Sequence, residues 1–401
     1  ACAYTRGGGR IAMQDHTNID TAPLYPRATP QDAAASRTRA WKSTLVSLLV
    51  GASVGAAFAY AGFVIGREVP SLPWFFAGLV LGLWPNVVLH ELGHLLAGMV
   101  AGLKPIALGI GPFRYERTLA GWRGYRGSAQ QGIAGFAALL PHGDTGGGRG
   151  AQAMMLAGGP AANLLVALAC FIAFTGLDDA PRVAALLLGI GGIALVMGAA
   201  NLLPFTVASG WRSDGRNLLD LARRAPDADL YLALQRIIGL SLAGRRPRDW
   251  PATALPAATA ALPPMVLATS AHLLCLLHTM GREDVDASSL HARWLADHWT
   301  TTPPGQRPAI ATQMAGYAAV IAGDASLLAA WRPLCEGGLL DLSPYRAWLH
   351  ADLAALQGDL RTDELTHHAR TLLSRSHDAG SMRVLQDRLE RLQHAADASA
   401  H

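Results

Sequence analysis

The chain has little cysteine and little charge. Its four cysteines, Cys2, Cys170, Cys275 and Cys335, lie far apart in 401 residues and form no Cys-x-x-Cys pair. That spacing excludes a disulfide framework and a thiolate zinc site. Charged residues make up 15% of the chain, against about 25% in soluble domains. A wholly soluble, disordered or fibrous protein is thereby excluded. The net charge is +4, too small to ask for nucleic acid as a partner. What the chain has in quantity is apolar: hydrophobic residues account for 51% of it. Together these values describe a membrane protein with a soluble part.

The charges divide the chain near residue 228. Residues 1–228 carry 18 Lys and Arg and 12 Asp and Glu, and residues 229–401 carry 15 and 17. The first 43 residues show no apolar periodicity and read as a disordered tail. The apolar stretch begins too late for a signal peptide. Four runs then match the roughly 20 helical residues that cross a bilayer core. They are 44–66, 73–102, 152–176 and 182–204. A fifth run, 257–280, is broken by Pro263 and Pro264 and reads as a buried helix of the soluble part. Arg37, Arg39 and Lys42 precede the first run. Lys104, Arg114, Arg117, Arg123, Arg126 and Arg149 fall between the second and third, and Arg212, Arg216, Arg223 and Arg224 follow the fourth. Positive charge collects on the cytoplasmic side. The pattern predicts an integral protein of a bacterial-type inner or plasma membrane, in contact with its lipid, with both termini cytoplasmic.

The second run contains His90-Glu91-Leu92-Gly93-His94. Ionisable groups inside a span are functional candidates by default. Residues four apart share a helix face, about 6 Å apart along the axis. Two imidazoles so placed can hold one Zn²⁺. Glu91, rotated by about 100°, can reach a metal-bound water and take its proton. Asn86 lies on the His90 face, either as a helix–helix hydrogen bond or behind the ligands. Zinc usually takes a third protein ligand. Asp214 is the best placed acid, just after the fourth run, and Gly215 permits a tight turn beside it. Asp220 sits within a plain helical pattern, and His142 in an exposed Gly-rich loop.

A His-Glu-Leu-Gly-His span, an Asn201-x-x-Pro204 near the end of a later span and a following Asp214-Gly215 together resemble the site-2 protease family of intramembrane zinc metalloproteases. Residues 101–118 resemble the short β-hairpin that the family places after its metal-binding helix, and Gly159-Pro160-x-x-Asn163 is similar to another family segment. The likeness covers residues 73–225. It implies that His90, His94 and Asp214 ligate zinc and that Glu91 is the general base. It also implies that Asn201, Pro204 and Asn163 line the path of a membrane-spanning protein substrate. The loop between Pro204 and Asp214 is longer than the family's, and Ser213 replaces its usual Leu. The 103–151 loop leaves no room for a PDZ-type domain. An unwound substrate segment is expected to pair with a free edge in the 103–120 region.

The soluble part, 229–401, reads as α-helical. Gly323-Asp324 and Gly358-Asp359 each follow a helix of small residues, a spacing that suits tetratricopeptide-like hairpins binding a cytoplasmic protein partner. His272, Cys275 and His278 cannot all face one ion, and His367 and His368 point apart. The predicted fold is therefore a polytopic α-helical membrane protein with about four spans, a short β-hairpin and a C-terminal helical repeat-like domain. A zinc endopeptidase acting in regulated proteolysis is the first expectation. A non-catalytic membrane scaffold is the second. A membrane-anchored zincin would need a downstream Glu ligand, and no suitable one stands in the sequence.

Overall fold

A computed structural model describes residues 20–27, 72–127, 134–143, 147–206, 212–256 and 265–400. The expected span 44–66 lies outside the described residues. Among these, three helices are long and apolar enough to cross a membrane: α1 (Leu72–Val100), α2 (Arg149–Thr175) and α3 (Pro181–Leu202).

Glycine sets how these helices meet. Gly78 faces Gly189 and Gly82 faces Ile190, so α1 and α3 run parallel. Gly93 faces Gly158 and Gly98 faces Met155, so α2 runs against both. A Cβ on Gly93 would stand 2.3 Å from the Gly158 carbonyl oxygen, and a Cβ on Gly158 equally close to that of Gly93. Without a hydrophobic drive between helices in lipid, close backbone approach is what holds such a bundle. Its outer face exposes Val80, Leu81, Trp84, Leu165, Leu168 and Ile172, as a lipid-facing surface requires. Asn86 donates to Gly82 O of its own helix at 2.9 Å and to Ile190 O of α3 at 3.4 Å, a helix–helix bond.

After α1 the chain forms four strands: β1 (Lys104–Ile110), β2 (Phe113–Thr118), β3 (Gly121–Arg126) and β4 (Gly135–Leu140). They make one antiparallel sheet in the order β3-β2-β1-β4. This enlarges the expected hairpin and corrects the expected free edge within 103–120. Both hairpin strands are interior, because β3 folds back on β2 at Gly121 (φ 113°) and β4 pairs with β1. The edges belong to β3 and β4.

Beyond α3, an antiparallel bridge between Thr206 and Arg212 leads into α4 (Asp214–Ala222) and α5 (Pro226–Leu242). The expected boundary at 228 falls inside α5. Ala228 and Leu232 pack with Leu103, Leu139 and Leu221 beneath the bundle, while Leu234, Ile237 and Leu240 pack with Trp250, Ala271 and Leu274. One helix thus serves two cores, and no linker separates them. The rest is α6 (Met265–Gly281), α7 (Val285–Asp297), α8 (Arg307–Tyr317), α9 (Ala325–Trp331), α10 (Ser343–Leu356), α11 (Thr362–Leu372) and α12 (Ala379–Ala400). The described part of the 257–280 run is α6, which gives Leu276 and Met280 to the largest apolar core. That core also holds Ile310, Met314, Tyr317, Leu328, Trp331 and Leu349. The Gly-Asp pairs are stop-and-start signals. Gly323 takes a left-handed φ of 60°, and Asp324 caps α9 by accepting from Ser326 N and Leu327 N, both at 2.9 Å. Capping explains these residues directly.

Two joints tie the parts together. Glu116 of β2 is buried and accepts from the Tyr125 hydroxyl, from Asp341 N at 3.1 Å and from His377 Nε2 at 2.7 Å. Beside it Leu119 N and Ala120 N donate to Ser376 O and Ser374 O, each at 3.0 Å. The second joint corrects the expectation of a disordered tail: within it, residues 20–27 are docked on the C-terminal helices, with Leu24 fully buried in their core. A single apolar anchor in so short a segment leaves no periodicity to read.

Candidate metal centre

His90 and His94 lie one helical turn apart on α1, and Asp214 opens α4. The sequence around Asp214 explains how it gets there. Ser213 is the N-cap of α4: its hydroxyl accepts from Arg216 N at 3.1 Å and donates to Leu203 O at 2.6 Å. Asp214 is therefore the first helical residue, at the end that favours a negative charge. Gly215 is needed for close approach rather than for a turn, since a Cβ there would stand 1.9 Å from Leu202 O. Arg212 clamps the approach by pairing with Asp220 Oδ2 at 2.7 Å and Asp227 Oδ2 at 2.6 Å. Asp220 also pairs with Arg216 at 3.1 Å, which accounts for it without a metal.

The three groups converge. His90 Nε2 and His94 Nε2 are 3.1 Å apart, and Asp214 Oδ2 is 3.4 Å from each. Donors about 2.0–2.1 Å from one tetrahedral ion stand roughly 3.3 Å from each other, so this triangle has the dimensions of three zinc ligands. Among the described residues it is the one group of three such side chains close enough to share an ion.

The outer nitrogens are held as ligation requires. His94 Nδ1 lies 2.7 Å from Met155 O, which makes it the N–H and leaves Nε2 with its lone pair. His90 Nδ1 lies 3.4 Å from the Asn163 side-chain amide, whose Oδ1 is buried without a partner. With that amide turned over, Oδ1 would accept from His90 Nδ1–H. Asn163 is therefore placed behind His90. Gly159 leaves the space His94 needs, since a Cβ there would stand 2.3 Å from Nε2. Two buried imidazoles, one with its tautomer fixed, and one carboxylate make a set that fits a zinc-like cation.

Glu91 is buried beside the ligands, against the start of β4, where a Cβ on Gly135 would lie 2.8 Å from its Oε1. Asn201 donates to Met197 O of its own helix at 3.1 Å, and Pro204 is exposed just beyond α3. Neither is among the three converging groups. His142, His367 and His368 are exposed. His272, Cys275 and His278 do not meet; His278 Nδ1 goes to Pro247 O at 2.7 Å, and His272 turns toward His291. Sequence reasoning missed Met155, Gly159, Gly135 and Arg212. Only Gly159, beside Pro160 and four residues before Asn163, carried any signal. Comparison with protein-family models, curated proteins and solved structures finds no match for this chain.

Proposed function

We propose that this chain is a zinc-dependent intramembrane endopeptidase that cuts membrane-spanning protein segments, in the manner of the site-2 proteases its motifs resemble. One observation carries the reading: two histidines on an apolar helix close with a distant aspartate into a triangle of zinc-ligand dimensions. His90, His94 and Asp214 would hold the ion. Bound zinc supplies a Lewis acid and lowers the pKa of a bound water. Glu91 would take a proton from the attacking water and pass it to the leaving amide nitrogen. Met155 O and Asn163 keep the imidazoles turned toward the ion. The substrate helix must unwind to expose an amide. β4 is an edge strand whose first residue, Gly135, lies against Glu91, and an unwound segment adds to that edge beside the base. Asn201 and Pro204, at the mouth of α3, hold the segment on the other side.

Both termini and the C-terminal helices lie on the cytoplasmic side in this reading. Its support is the docking of residues 20–27 on the C-terminal part, together with the positive charge of the 103–151 and 205–225 loops. The stacked helices there serve as the partner-binding part.

The test is membrane proteomics in the native host, comparing wild type with Glu91→Gln. The proposal expects at least one membrane-spanning protein, or its truncated remnant, to accumulate in the variant. If the variant matches wild type while a deletion strain differs, the protein acts as a scaffold and the proposal fails.

A further inference from the structure

Residues 20–27, Asp-Thr-Ala-Pro-Leu-Tyr-Pro-Arg, lie on the C-terminal helices as a ligand lies on a receptor. Leu24 is their one buried side chain, while Asp20, Ala22, Pro23, Tyr25 and Arg27 are exposed. Leu24 enters the apolar core that holds Trp299 and Trp331, whose rings meet edge to face at 5.0 Å. Three polar contacts surround it. The Trp331 indole N–H donates to the Leu24 carbonyl oxygen at 2.9 Å. The Thr21 hydroxyl donates to Asp324 Oδ2 at 2.9 Å, while the other oxygen of Asp324 caps α9. Arg27 pairs with Asp297, at the end of α7, at 2.8 Å.

This is unlike a core element. The neighbouring helices bury several side chains each; this segment buries one and reads out its own backbone through a carbonyl. Residues 22–24 form one 3-10 turn, closed by Leu24 N donating to Thr21 O at 2.9 Å, and a single apolar anchor with flanking polar contacts is how such a short turn is held on a preformed surface. Without the segment the Trp331 indole N–H, Asp324 Oδ2 and Asp297 each lose a partner, and Leu24 leaves the core around Trp299 and Trp331.

We infer that the pocket formed around Trp331, Asp324 and Asp297 is a peptide-binding site, that residues 20–27 are its resident ligand, and that a partner protein engages it by displacing them. The partner segment has the same chemistry: a large apolar anchor in a Pro-flanked turn, a hydroxyl three residues before it and an arginine three residues after it. The sheet joint at Glu116, His377 and Ser374–Ser376 connects this part of the molecule to the strands beside Glu91. The inference stands apart from the protease reading, since it concerns binding alone.

The experiment uses the full chain in detergent and a fluorescein-labelled peptide with the sequence of residues 20–27, read by fluorescence anisotropy. In wild type the chain's own segment fills the pocket. Leu24→Asp expels it, because a buried unpaired carboxylate is strongly disfavoured. The expected result is saturable binding to the Leu24→Asp chain at least tenfold tighter than to wild type, with no binding of a peptide carrying the same substitution. Equal binding to both chains, or none to the Leu24→Asp chain, overturns the inference. If that chain does not fold, Leu24→Ala, which keeps the core apolar, takes its place. Peptide binding to Leu24→Ala no tighter than to wild type overturns the inference equally.

Discussion

Two pairs of imidazoles face each other in this molecule, one in each of its regions. In the membrane bundle His90 and His94 stand with their Nε2 atoms 3.1 Å apart; in the C-terminal part His272 and His291 stand with their Nδ1 atoms 3.2 Å apart. The spacings match, and both pairs are buried. Everything around them differs. The first pair has a carboxylate oxygen 3.4 Å from each nitrogen, and an amide or a carbonyl behind each ring. Among the described residues the second has no third ligand. His272 stacks on Trp294 at 3.9 Å, Trp294 stacks on His298 at 4.0 Å, and His272 Nε2 is buried without a partner. Proximity of two histidines does not make a metal site. A charge-balancing third ligand and a fixed tautomer do, and without them the same rings serve as packing.

The two regions also cohere differently, and that predicts different failures. The C-terminal part depends on a large apolar core, so Leu349→Ala should cost about 2–5 kcal/mol there. Differential scanning calorimetry of the full chain should show the loss, with metal content unchanged. A metal loss of equal size would merge the two regions and break the comparison.

Acid should act on the second histidine pair. Burial, with the nearby His291 and His298 imidazoles, holds His272 down at about 4 from 6.5. Its neutral form is the folded form. The stability it contributes is complete above about pH 6.5 and is lost as pH falls toward 4, because the unfolded chain takes up the proton first. A loss of roughly 2–3 kcal/mol over that window is expected, abolished in His272→Phe. An unchanged acid limb in that variant would sink the assignment.

Gly159→Ala should do the reverse of Leu349→Ala. The added methyl stands where His94 Nε2 must be, so zinc affinity should fall by roughly tenfold to a hundredfold, read by competition with a chromogenic chelator. Wild-type affinity in that variant would mean His94 has more room than the geometry gives it. The smallest effect belongs to Ser213→Ala. Losing the cap of α4 costs about 1 kcal/mol and should weaken zinc binding slightly through Asp214, with Ser213→Asp restoring it.

These cases also show what could be read without the structure. His90, Glu91 and His94 were legible because three ionisable groups in an apolar helix need a common reason. Asp214 was legible because an acid beside a glycine follows the last apolar helix. The three described spans fell within a few residues of their expected limits, since length and hydropathy set them. The backbone carbonyl of Met155 has no sequence signature, nor does the space that Gly135 leaves. The outer strands were missed because β3 and β4 are six residues each, and small, polar or glycine residues blur their alternation. Arg212 was read as loop charge, whereas its two aspartates sit eight and fifteen residues on and meet it only after α4 and α5 pack.

The most direct test of the metal centre is zinc content by mass spectrometry of full-length protein purified without chelator. Wild type and Glu91→Gln should each carry about one zinc per chain, and Asp214→Ala should lose most of it. Zinc absent from wild type, or undiminished in Asp214→Ala, would contradict a site built from His90, His94 and Asp214.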